Sequence, residues 1–249
     1  HFVYSSWGNT GNPPSREEIA ATRAKTKFPT YEALVAATGA SSLPAAPEGW
    51  TLRVGVELGF FPVRLAAHPD GERVLVLADN GDVWTCKLDG SELVRLIQGA
   101  TYLDPSLGHP SVLGFTVDRD RRLYLVCNQR NEKANPVRNE ITIFRTGAGS
   151  IEQAWDCPKP WFRTSYPWGV GPYNHGVSHI AQGPDGLLYV NSGSRTDGGE
   201  AGALPNYAKT GEDPLTACMW RLNPNDEQPS VEIVARGRDL LEARLHSLI

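Results

Sequence analysis

The order strand, tight turn, strand, variable loop, strand occurs three times in this chain, over residues 62–88, 111–146 and 176–223. A fourth short strand-like run follows each occurrence, at 92–97, 151–156 and 230–234. A unit of this kind carries apolar residues on a pleated surface that it cannot bury alone, so it stacks against its neighbours. Asp70, Asp120 and Asp185 take equivalent places in the three tight turns, 50 and 65 residues apart, a spacing that suits propeller blades with insertions in their loops. The pattern predicts an all-β chain, a β-propeller of about three four-stranded blades near 60–98, 109–156 and 175–234.

Loop lengths then separate two faces. The turns at 68–71, 118–121 and 183–186 are short, whereas the loops at 128–139 and 192–216 and the connection at 157–174 are long. In an up-and-down blade the long loops emerge together, and elaborated loops on a rigid scaffold are where sites are built.

Residues 1–49 differ in kind. Ser15 followed by Glu18 forms a capping box, which predicts a helix over 16–27, with a second short helix over 31–37 and a linker before residue 50. This helical arm precedes the propeller part at 50–237, and 238–249 reads as a divergent or truncated tail. The chain starts at His1 without a methionine or a signal peptide, so it is expected to be processed or a fragment.

Composition narrows the partners. A net charge of -4 and a pI near 5.9 give no basic stripe, which argues against nucleic acid and anionic membranes, and no run is apolar for the ~18 residues of a membrane span. Cys86, Cys127, Cys157 and Cys218 are too dispersed for a disulfide framework and contain no CxxC pair, so buried free thiols are expected, with one bridged pair in an oxidising compartment as the alternative. No GxSxG elbow, HExxH helix, Walker loop or GxGxxG turn is present.

The stretch 173–197 concentrates polar residues at the start of the third unit. His175 stands just ahead of a strand, and an imidazole has a reference pKa of about 6.5, so it accepts a proton at ordinary pH. A structural histidine bonding a loop carbonyl is the plain alternative. Around it lie Trp155, Trp161, Phe162, Tyr166, Trp168 and Tyr173, either as rings for stacking on a planar ligand or sugar, or as a seal between blades. Trp168 and Tyr173, nearest His175, are the substrate-binding candidates. The loop containing Arg195, Asp197 and Glu200, with Glu212 and Asp213 after it, offers an arginine for a carboxylate and oxygen ligands for a cation, or simply a solvated acidic loop.

His175, seven further residues, and then Gly183-Pro184-Asp185-Gly186-Leu187-Leu188-Tyr189 resemble the glucose/sorbosone dehydrogenase family, soluble quinoprotein sugar dehydrogenases built as six-bladed β-propellers. The resemblance implies that His175 is the catalytic base, that pyrroloquinoline quinone (PQQ) accepts hydride from a sugar or polyol, and that calcium (Ca2+) holds the cofactor. Asn174 would orient the base, and Asn174, His179 and Arg195 would contact the quinone, His179 standing where the family often carries arginine. Asp197 and Glu200 would serve the metal. A periplasmic or extracellular location goes with the family, and a binding or scaffold propeller that has lost the cofactor is the alternative. Three blades make half of such a ring, so the 249 residues by themselves are expected to show no quinone-dependent activity and to self-associate through open blade flanks.

Overall fold

A computed structural model describes residues 47–51, 55–149, 155–169, 175–196, 201–202 and 205–237. The expected helices at 16–27 and 31–37 and the tail from 238 lie outside the described residues. The described strands lie in the compact unit from Val54 onward.

Among the described residues twelve strands form three four-stranded antiparallel sheets. The first holds β1 (Pro62–Ala67), β2 (Arg73–Ala78), β3 (Val83–Lys87) and β4 (Val94–Ile97), the second β5 (Pro110–Val117), β6 (Arg122–Asn131), β7 (Arg138–Ala148) and β8 (Lys159–Pro167), and the third β9 (Val177–Gln182), β10 (Leu188–Ser192), β11 (Cys218–Leu222) and β12 (Glu232–Arg236). Each runs up and down in chain order, and the first strands β1, β5 and β9 lie side by side. Arg64 on β1 ties these inner strands together, its Nε donating to Leu113 O at 3.1 Å and its Nη2 to Ser178 O at 3.2 Å. This is the arrangement of consecutive propeller blades.

The three tight turns close alike, with backbone bonds from His68 N to Arg73 O (3.0 Å), Asp118 N to Arg122 O (3.0 Å) and Gly183 N to Leu187 O (2.8 Å). Asp70 Oδ1 accepts from Glu72 N and Asp185 Oδ1 from Leu187 N, each carboxylate pinning the turn it sits in. Gly71 and Gly186 take the left-handed position with φ of 76° and 85°, and Arg121 takes it in the second turn at 61°.

The middle sheet is buried on both sides, which explains the unbroken apolar run of β6. Leu123, Leu125 and Cys127 face the first sheet and pack with Leu75, Leu77, Val83 and Phe115, while Tyr124 and Val126 face the third and pack with Ile180, Val190 and Trp220. Cys86, Cys127 and Cys218 are buried free thiols and Cys157 is an exposed one.

One strand is displaced from its expected place. The fourth strand of the second sheet is Lys159–Pro167, beyond the run at 151–156, of which only Trp155 and Asp156 are described. Trp161, Phe162 and Tyr166 therefore belong to a strand and not to a connection. Their rings fill the seam between the second and third sheets, Phe162 lying 5.4 Å from Trp220. Trp155 packs in the other seam and donates to Arg121 O at 2.7 Å. For these four rings the sealing role is the one observed.

Candidate functional site

The topology sends the β2–β3, β6–β7 and β10–β11 loops and the connections between sheets to one face, and the three tight turns to the other. His175 lies on the elaborated face, immediately ahead of β9, and its side chain is exposed. No described residue hydrogen-bonds its ring.

Its backbone is held closely. His175 N donates to Ser194 O at 3.3 Å, and Gly193 N donates to Gly176 O at 3.2 Å. Val177 N donates to Asn128 Oδ1 at 2.9 Å, and Asn128 Nδ2 returns a bond to Val177 O at 2.7 Å. The fit requires two glycines. A Cβ on Gly193 would lie 2.2 Å from His175 Cβ, and one on Gly176 would lie 2.4 Å from Asn128 Oδ1.

A polar network runs behind Asn128. Asn139, fully buried, donates from Nδ2 to Asn128 Oδ1 at 3.1 Å and to the Tyr166 hydroxyl at 2.9 Å. Burial pushes the Tyr166 phenol up to about 12, so it stays neutral. Asn139 Oδ1 is buried here with no hydrogen-bond partner among the described residues.

Arg195 is 1% exposed. Its Nε donates to Pro167 O at 3.1 Å, its Nη2 to Trp168 O at 3.0 Å, and its Nη1 to the carbonyls of Thr210 and Gly211. The guanidinium thus clamps two loops, and a cofactor contact would require some of these carbonyls to be released. Glu212 completes the clamp. Its carboxylate accepts from Arg195 N at 3.1 Å, Thr196 N at 2.9 Å, Thr216 Oγ1 at 2.6 Å and Thr196 Oγ1. Partial burial alone would raise the Glu212 pKa, but these bonds outweigh it and hold the carboxyl below its ordinary value.

Trp168 is half-buried, its backbone N donating to Val137 O at 2.8 Å. The Arg130 guanidinium lies 5.4 Å from the Trp168 ring centre and 6.0 Å from that of Tyr207, and its Nη2 donates to Tyr207 OH at 3.2 Å. Arg130 and Asn128 are two residues apart on β6 and share a side of the strand. The arginine therefore stands about 7 Å further along the strand from the amide that holds the His175 segment.

His179 is half-buried on β9 and pairs in register with Asn191. A bulge opposite Asn191 and Ser192 shifts that register, so the strand alternation by twos is interrupted between His179 and the residues that follow His175. Tyr173, Asn174, Asp197 and Glu200 lie outside the described residues. Among the described residues no group of three or more His, Cys, Asp or Glu comes together. An open hollow of about 490 Å³ beside Glu212, Thr216, Ala217 and Arg236, and another of about 400 Å³ beside Asn80, Asp82, Arg95 and Gln98, also lie on the elaborated face. His175 lines neither.

Asn128, Arg130 and Glu212 are the residues whose roles the sequence did not disclose. Only the period-two placement of the first two on one strand hints at their partnership. Among the described residues no helix is long and apolar enough to cross a membrane.

No protein-family model matches the chain, and no curated protein matches it. Among solved structures it is similar to the PQQ-bound form of aldose sugar dehydrogenase from Streptomyces coelicolor, at 22% identity and a TM-score of 0.48, over 70% of this chain and 47% of that one. The chain thus spans about half the length of that protein.

Proposed function

We propose that the elaborated face serves a quinone-dependent oxidoreductase that oxidises a hydroxyl of a sugar or polyol, with His175 as general base. The observation that carries this reading is the exposed imidazole on a backbone anchored at three successive residues, with its ring free of hydrogen bonds from described residues. A base must be held in place and still reach its substrate, and this arrangement does both. The family-like spacing from His175 to the turn at 183–186 supports it.

The surroundings fit a planar ligand. The Trp168 ring offers a flat edge of the site, and beside it stands the Arg130 guanidinium, ion-paired to Glu132 at 3.2 Å. Bound PQQ would supply hydride acceptance. The chain's own part is to bind the substrate hydroxyl near His175 and to take its proton onto an imidazole nitrogen as the carbon gives up hydride. Asn174 and Tyr173 flank the base in sequence and complete the proposal, as orienting and substrate-binding residues. Arg195 and Glu212 act from behind, holding the loop at 193–217 against the connection that carries Trp168. Calcium enters only through Asp197 and Glu200, since Glu212 spends both carboxylate oxygens within the protein. A periplasmic or extracellular location accompanies this reading.

A second reading, a propeller that binds a sugar without redox chemistry, is favoured by the engagement of the Arg195 guanidinium with four carbonyls. Dye-linked sugar oxidation by the complete protein loaded with PQQ separates the two. Turnover that falls by about 10²–10⁴ in His175→Ala supports the enzyme. Sugar binding without turnover supports the binding module.

A further inference from the structure

Resting on the reading of His175 as base, we propose that Asn128, supplied by the neighbouring sheet, is the positioning residue that fixes where His175 stands. Asn128 is 5% exposed, and its amide bonds Val177, the residue of β9 that pairs with Ser192 of β10. One residue of the third sheet thereby has both its backbone N–H and its C=O satisfied by one side chain of the second, at 2.9 and 2.7 Å. The orientation of the amide is set by its neighbours, since Val177 N and Asn139 Nδ2 both donate to Oδ1 while Val177 O needs a donor.

The clamp acts on the two residues that follow His175. Val177 is bonded, and Gly176 lies so close that a Cβ there would meet Oδ1 at 2.4 Å. Asn139 on β7 and Tyr166 on β8 brace the amide in turn, so the mouth of β9 is registered against three strands of another sheet. A free strand end would let the base wander. Positioning a reacting group to within a fraction of an ångström is worth about 10²-fold in rate.

Two variants test this, with histidine-ring NMR of the full chain as the first readout and turnover as the second. His175 signals are assigned by their loss in His175→Ala. In Asn128→Ala we expect the His175 ring signals to shift and broaden while those of His68, in a turn on the opposite face, stay in place. With PQQ loaded, kcat falls by about 10- to 100-fold and KM changes by less than about 2-fold.

Asn128→Asp supplies a rescue. A protonated carboxyl accepts from Val177 N and donates to Val177 O as the amide does, whereas the ionised form cannot donate. His175 signals and kcat should therefore be native-like on the acid side and lost as the carboxyl ionises, a step absent from the parent. Burial pushes Tyr166 and Cys127 to about 12 and Cys218 to about 11, and these three groups are common to both proteins.

Unmoved His175 signals in a folded Asn128→Ala, or an Asn128→Asp variant with no such step, overturn the proposal. Should Asn128→Ala fail to fold, the acid side of Asn128→Asp decides. If His175→Ala keeps full turnover while the ring signals still respond to Asn128, the base assignment fails and the positioning contact stands.

Discussion

Gly193→Ala is the sharpest mutational test of the slot that holds His175. The new Cβ would fall 2.2 Å from His175 Cβ and 2.4 Å from His175 O, against the 3.4 Å or more of ordinary contact. Gly193 cannot simply retreat, because its N–H is bonded to Gly176 O and its carbonyl to Ala217 N at 3.0 Å. The segment carrying the base must therefore move by about 1 Å, enough to cost about 10²-fold in rate. Overpacking of this kind destabilises by about 1–3 kcal/mol, and a chain of this size loses about 2–4 °C in Tm per kcal/mol. Calorimetry should show a fall of about 2–12 °C. Dye-linked turnover of the PQQ-loaded complete protein gives the second reading. Gly186→Ala is the control. Gly186 has φ of 85° with open space around it, so alanine there brings backbone strain of about 1–2 kcal/mol and leaves turnover unchanged. Wild-type turnover and Tm in Gly193→Ala would refute the reasoning.

The loop clamp has an acid-side signature. The Glu212 carboxyl is held below 4.5, so its stabilisation is present above the ordinary carboxylate range and is lost as pH falls through the lowered folded value. Glu212→Gln should lower Tm at pH 7, with the gap to the parent closing on acidification, and a gap that stays constant down to pH of about 3 would count against the clamp. Thiol accessibility offers a separate check on the core. Of four free cysteines only Cys157 is exposed, and burial pushes Cys127 to about 12 and Cys218 to about 11. A disulfide reagent at pH 8 should therefore titrate one thiol in the folded protein and four in denaturant, and rapid reaction of a second thiol before unfolding would contradict the packing of the sheets.

Much of the blade order was legible because tight turns make stringent demands. Asp70 and Asp185 bond the backbone two residues on, and Gly71 and Gly186 supply the left-handed position, so the turns announce themselves. The second turn kept its length while Arg121 took that position, and the shared spacing was enough to find it. The fourth strand of the second sheet was misplaced because Pro160 and Pro167 argue against a strand. They are tolerated in β8, which pairs with β7 on one side and is an edge of its sheet.

Site residues divide the same way. The place of His175 at a strand mouth follows from local pattern. The role of Asn128 does not, since its partner Val177 is 49 positions away and the bond exists only once two sheets stack. Arg195 in a glycine-rich loop reads as an available cation until the fold brings Pro167, Trp168, Thr210 and Gly211 around it. Whether an arginine is a ligand or a clamp depends on contacts that no local spacing encodes.

The most direct measurement of the central claim is PQQ-dependent, dye-linked oxidation of sugars and polyols by the complete protein, with His175→Ala run beside it. The account predicts turnover that requires the quinone and falls by about 10²–10⁴ in the variant, while the Tm of the variant stays close to that of the parent because the exposed ring makes no hydrogen bond to a described residue. Equal turnover in the two proteins, or no oxidation of any hydroxyl substrate with the quinone bound, would contradict it.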